Sequence, residues 1–160
     1  MDALLEWLSQ TPLARWMQSE VWAYPIAEIV HIFGIGLLIG AAALFDLRLL
    51  GVGRQAVSVS LAMRYLLGTA RVGFVIAISS GGLLFLTNAA GFAANRAFQL
   101  KMLLLMAALA NILIFHAGVR RSVARWDLNA PTPLAARLAA IISLASWLAI
   151  IAAGRLIAYV

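Results

Sequence analysis

The sequence predicts an all-α fold, a bundle of four transmembrane helices with a short N-terminal amphipathic helix lying in the membrane interface. Two observations carry this. Of the 160 residues 64% are hydrophobic and the mean hydropathy is +0.99, more apolar surface than a soluble chain of this length can hide. The apolar residues also fall into four long runs separated by connectors. Each run is near the ~20 residues a helix needs to cross the hydrocarbon core. One integral membrane domain over residues 1–160 is expected, with no soluble domain and no internal repeat.

Residues 2–20 read as the interfacial helix. Leu4, Leu5, Trp7, Leu8, Trp16 and Met17 supply its apolar side, and Asp2, Glu6, Arg15 and Glu20 its wet side. Trp22 and Tyr24 mark a headgroup boundary, and Pro25 sits where a first helical turn tolerates it. The first span is predicted at about 22–50. Gly34, Gly36 and Gly40, with Ala41 to Ala43, thin one side of it for another backbone or a flat ligand. Arg54 to Arg64 read as a connector. The second span is predicted at about 66–90, with Arg71 near its start and a small-residue centre at Ser79 to Gly82. The third covers about 97–119 and holds Lys101, Asn111 and His116. After Arg120, Arg121, Arg125 and Trp126, the stretch Asn129 to Pro133 breaks the helical pattern. The fourth span covers about 134–159, with Arg155 near its end.

Charge and composition narrow the classes. The chain has no cysteine, which excludes disulfides, thiolate metal sites and thiol catalysis. Its net charge of +6 comes from cations placed between oily runs, a pattern for lipid headgroups and topology rather than nucleic acid. The opening MDALLEWLSQ carries acids and no basic n-region, so no cleavable signal peptide is expected. Arginines flank the first and third connectors. The positive-inside rule then puts both connectors in the cytoplasm and both termini outside, for a multi-pass protein of the bacterial inner membrane.

The chemistry begins with three polar groups in or beside the first span: Glu28, His31 and Asp46. His31 is the only ionisable residue from Ile29 to Phe45. Glu28 and His31 share a face, and Asp46 returns to it after about five turns. Such groups cost a few kcal/mol at membrane depth, so they line an interior. The chain has two histidines, His31 and His116, and both fall inside predicted spans. Imidazole is a common haem ligand, and helix bundles build cofactor sites from facing side chains. The expected cofactor is therefore haem b, one or two, with iron on His31 and His116. Lys101 and Arg155 would act as ligand or propionate partners, and Glu28 would tune His31. Depth separates the histidines by roughly 15 Å, which opposes one shared iron. An outer set holds Glu28, His31, Lys101 and Arg155, with Asn88 nearby. An inner set holds Asp46, Arg48, Arg71, His116 and Arg120. Asp46, Arg48 and Arg71 are as well explained by ion pairs locking the bundle. Glu28 and His31 also fit the Glu-x-x-His pattern of carboxylate-bridged metal bundles, but its second copy is missing. No nucleophile elbow and no glycine-rich phosphate loop is present, and no catalytic residue is assigned.

On these residues the chain resembles known families. The run EIVHIFGIGLLIGAAALFDLRLLG is similar to the first helix of the haem-binding J-type protoporphyrinogen IX oxidases. The run QLKMLLLMAALANILIFH resembles a later helix of theirs and the copper-resistance D membrane domain, with Lys101 and Asn111 in comparable places. Over nearly its whole length the chain resembles an uncharacterised family of bacterial four-helix membrane proteins with Asp-x-Arg after the first helix, here Asp46 and Arg48. The oxidase resemblance implies haem b at His31, with Lys101 beside it, and a porphyrin-type substrate.

The expected function is that of a membrane haem protein in electron transfer, a haem-dependent oxidoreductase, with quinone or a redox protein as partner. Two alternatives stand beside it. One is a small-solute or metal-ion transporter or channel, working as a homo-oligomer along the Glu28–His31–Asp46 stripe. The other is a membrane anchor subunit for a partner enzyme.

Overall fold

The computed structural model describes residues 2–128 and 130–159, without the side chains of Asp2 and Val119. It is all helical, with no strand among the described residues. In order come α1 (Asp2–Ser9), α2 (Pro12–Ser19), α3 (Ala23–Leu50), α4 (Val59–Leu86), α5 (Ala89–Ala94) and α6 (Arg96–Ala117). A 3₁₀ segment (Val119–Arg125) and α7 (Leu134–Leu156) follow. Four of these, α3, α4, α6 and α7, are long and apolar enough to cross a membrane. The two ends of the bundle differ. One carries α1, α2, α5 and the end of α7 and is called the terminal end below. The other carries the 51–58 connector, the 3₁₀ segment and the start of α7, and is called the arginine-rich end.

Local chemistry explains the boundaries. The predicted interfacial helix is two helices. Thr11 caps α2, its hydroxyl accepting from the Ala14 N–H at 3.3 Å, and Pro12 occupies the first helical position. The second span begins seven residues before the predicted Leu66, because Ser58 Oγ accepts from the Leu61 N–H at 3.2 Å and starts a helix there. At 28 residues each, α3 and α4 reach about 42 Å, the full bilayer with its headgroup layers. The predicted connector to Arg64 is therefore largely the first turns of α4. Gly51, at φ 109°, ends α3 in a left-handed turn: its N–H donates to the Arg48 carbonyl, and that of Val52 to the Leu47 carbonyl. Asn95 caps α6 through the Phe98 N–H at 3.0 Å.

α3 packs along α4, α6 along α7, and the two pairs join through α3 against α7. The α3–α4 contact is close because of glycine. A Cβ at Gly34 would stand 2.7 Å from the Ala77 nitrogen, and one at Gly73 would stand 2.8 Å from the Gly34 carbonyl oxygen. Gly36 and Gly40, predicted to share that thin side, have no neighbour within 4 Å. The buried positions of α3 run through Gly34, Leu38, Ala41 and Phe45, and 36 and 40 fall off that stripe.

Apolar clusters hold the bundle at three levels. Phe45, Leu49, Phe115, Trp126 and Ala140 pack at the arginine-rich end. Leu38, Ala41, Ala70, Ala108, Trp147 and Ile150 pack at the middle. Met17, Ala23 and Ala27 pack beneath α2 at the terminal end. α4 and α6 do not approach each other along their backbones as the other three neighbouring pairs do. Their seam is closed at the terminal end by Phe85 and Phe98, stacked at 5.5 Å.

Candidate functional site

Between the middle and terminal apolar levels lies His31. Its Nδ1 is 2.8 Å from the Ala77 carbonyl oxygen and 3.2 Å from Ser80 Oγ. A carbonyl only accepts, and the Ser80 hydroxyl donates to the Ile76 carbonyl at 2.6 Å. Nδ1 must therefore carry the proton, and Nε2 keeps its lone pair. Among the described residues Nε2 has no hydrogen-bond partner. Gly81 makes room for the ring: a Cβ there would stand 2.8 Å from His31 Cε1. The ring is half-buried.

Lys101 of α6 lies within electrostatic reach of His31, as does Glu28. The lysine chain crosses α7 at Gly154, where a Cβ would stand 3.7 Å from Nζ. Nζ has no hydrogen-bond partner among the described residues. His31 is thus bonded to α4 and lies within electrostatic reach of a cation on α6, the helix pair whose backbones approach least. Glu28, one turn earlier, is exposed, so the predicted stripe runs inward only from His31 onward.

The other sequence-predicted residues lie elsewhere. Arg155 is exposed at the terminal end, donating to the Tyr159 hydroxyl at 2.7 Å with its guanidinium 5.0 Å over that ring. Asn88 caps α5. The His116 Nδ1 meets the Ile112 carbonyl of its own helix at 2.9 Å. Phe115 meets Phe45 edge-on at 5.8 Å, so His116 is level with Asp46, fifteen residues from His31. That is about 22 Å along the helix, and one iron cannot join the two histidines.

The predicted inner set also divides. Asp46 and Arg48 are buried, at 5% and 4% exposure, whereas Arg71 is exposed in the middle of α4 and Arg120 is exposed too. Arg48 makes its hydrogen bonds to the backbone carbonyls of Val57 and Asp127, the second at 2.9 Å, and not to Asp46. The Asp46 carboxyl faces Ser143 of α7, and its Oδ2 is buried without a partner. Asn111 ties α6 to α7 through the Ala139 carbonyl at 2.9 Å.

Sequence reasoning missed Ser80, Gly81 as a ring neighbour, Ser143 and Asp127. The Asp127 carboxylate accepts from the N–H and hydroxyl of Ser60, at 2.6 and 2.7 Å, and its backbone carbonyl takes Arg48. A signal existed for it, since Asp127 is the only acid after Asp46.

The described features define a class: a four-helix, multi-pass membrane bundle with one histidine anchored to the backbone of a neighbouring helix. The chain belongs to DUF6644, a family of unknown function whose model matches residues 3–160. No curated protein and no solved structure matches it.

Proposed function

We propose that this is a membrane haem b protein working in electron transfer, whose one haem would be held in the terminal half of the bundle by His31. The observation that carries the reading is the state of the His31 ring. One nitrogen donates to a backbone carbonyl, and the other holds a lone pair with no protein partner. Metal-bound histidines are oriented this way, by a hydrogen bond from the far nitrogen. The donor set also fits in charge. Lys101 carries an amine inside the span without a hydrogen-bonded partner, which as ammonium would pair with a propionate and, only if deprotonated, could bind iron. Haem, when bound, supplies one-electron redox chemistry of its iron. The chain's own residues do the rest: Ala77 and Ser80 set the tautomer and ring plane, Gly81 clears space at the ring, and Lys101 offsets negative charge. His116 has no place in this site, and its ring is oriented only by its own helix.

The test is the absorption spectrum of the purified protein, oxidised and reduced, after expression with haem supplied. A Soret band with one haem per chain is expected. His31→Ala should remove most of it, whereas absence of the band in the parent protein, or full haem content in the variant, refutes the assignment.

A further inference from the structure

The second site is at the opposite end. Between the end of α3 and the start of α7 lies a cavity of about 190 Å³ lined by Leu50, Gly51, Arg54, Pro131, Thr132 and Arg137. We propose that it binds a phosphate oxyanion, supplied by the headgroup of an anionic phospholipid.

The charges and hydrogen-bond donors around it converge on an anion. The lining holds two arginines and no acid. Both guanidiniums are exposed, and neither has a hydrogen-bond partner among the described residues. Buried Arg48 is close enough to Arg54 for the two cations to repel, so positive charge is gathered here. Of the two acids at this end of the bundle, Asp127 has its carboxylate committed to Ser60, and Asp46 is buried facing Ser143, outside the lining. The 23-residue α7 begins at this cavity with Pro133 as its N-cap and no side-chain cap, so its positive end is not satisfied by the protein.

Size and surroundings choose the ligand. At 190 Å³ the space is below the ~300 Å³ at which ordinary small-molecule sites begin. It holds the volume of about six waters, enough for a phosphoryl group with a little of its ester, and too small for a nucleotide. From the same end of α7, Leu134, Leu138 and Ile141 form an exposed apolar line at 69%, 49% and 52% exposure, spaced to share one helix face. A phosphate held by Arg54 and Arg137 leaves that line free for an acyl chain running into the bilayer. This line favours a lipid over free phosphate, and the arginine-rich end is where anionic headgroups are attracted.

The experiment is a thermal-shift titration of the full chain in neutral detergent. The probes are phosphatidylglycerol, phosphatidylcholine and inorganic phosphate. The variant is Arg54→Gln with Arg137→Gln, and the control is Arg120→Gln with Arg121→Gln, which removes equal charge from the 3₁₀ segment. Phosphatidylglycerol should stabilise the parent protein, and its half-saturating concentration should rise roughly tenfold in the site variant while the control stays within about twofold. Each single substitution should give part of the loss, which keeps the test valid if the double variant folds poorly. Stabilisation by the phospholipid assigns the source as lipid, and stabilisation by inorganic phosphate alone assigns free phosphate; both support the site. No response to either probe overturns it, as does equal weakening in variant and control.

Discussion

Arg48 and His31 are both polar side chains on α3, both inside an apolar bundle, and both held by backbone carbonyls of other segments. What they leave over differs. Arg48 joins α3 to the connector before α4 and to the loop after the 3₁₀ segment, through Val57 and Asp127. Asp127 then holds the start of α4 through Ser60. Three chain segments meet in that knot, which uses Nε and Nη2 of Arg48 and seals Nη1 inside without a hydrogen-bond partner. His31 uses one nitrogen on α4 and keeps the other. Lys101, beside it, has no hydrogen bond to give up. A polar group buried in a membrane protein that serves only the fold should have its partners within the fold. His31 and Lys101 keep bonding capacity that is not sealed inside the protein, whereas the one spare donor of Arg48, Nη1, is; a surplus that a ligand can reach separates a site from a staple.

The largest expected effect breaks the staple. Arg48→Ala removes two charged hydrogen bonds and leaves two carbonyls short of a donor, a loss of about 3–5 kcal/mol. Unfolding in detergent with added denaturant should show it, while haem bound per folded molecule stays at the parent level. Equal loss of haem and stability would mean that the two levels are one unit.

Gly81→Ala acts on the other level. The new methyl would sit against the His31 ring and push it from the Ala77 carbonyl, costing about 1–3 kcal/mol in overpacking and several-fold in retained haem. Gly82→Ala is its control, since nothing lies within 4 Å of that position. If the two variants retain haem equally, Gly81 is not what seats the ring. Asp127→Asn is expected to be milder. The amide still accepts one of the two Ser60 bonds, so the helix start weakens by about 1 kcal/mol, read as a lower midpoint with unchanged haem.

How far these levels could be read from the sequence depends on where each partner resides. The four spans were legible because hydropathy alone marks them. His31 was legible as one imidazole in a seventeen-residue apolar run. Its partner was not, because the Ala77 carbonyl is backbone, and every residue has one. Gly81 was read with Ser79, Ser80 and Gly82 as a small centre, and what meets it is the His31 ring, while nothing lies within 4 Å of a Cβ at Gly82. Gly36 and Gly40 misled because composition does not say which face of α3 meets α4. The start of α4 was placed late because Ser58, Ser60 and Arg64 interrupt its apolar pattern and its first turn is held by Asp127, 67 positions away. Arg71 read as a member of the inner set from its depth, yet it is exposed whereas Asp46 and Arg48 are buried.

The smallest expected effect is the sharpest check on the comparison, because it concerns the same side chain type. Like His31, the ring of His116 has its Nδ1 on a backbone carbonyl, but that carbonyl belongs to Ile112, one turn back on the same helix. No second helix fixes the ring, and no lone cation stands against it in the described contacts. An anchored nitrogen alone therefore does not make a ligand; the ring must also be fixed by a second helix, as α4 fixes that of His31. On that argument His116→Ala should shift stability by no more than about 0.5 kcal/mol and leave the Soret band intact. A band lost from this variant with stability unchanged would move the iron to the arginine-rich end and leave His31 as a second staple.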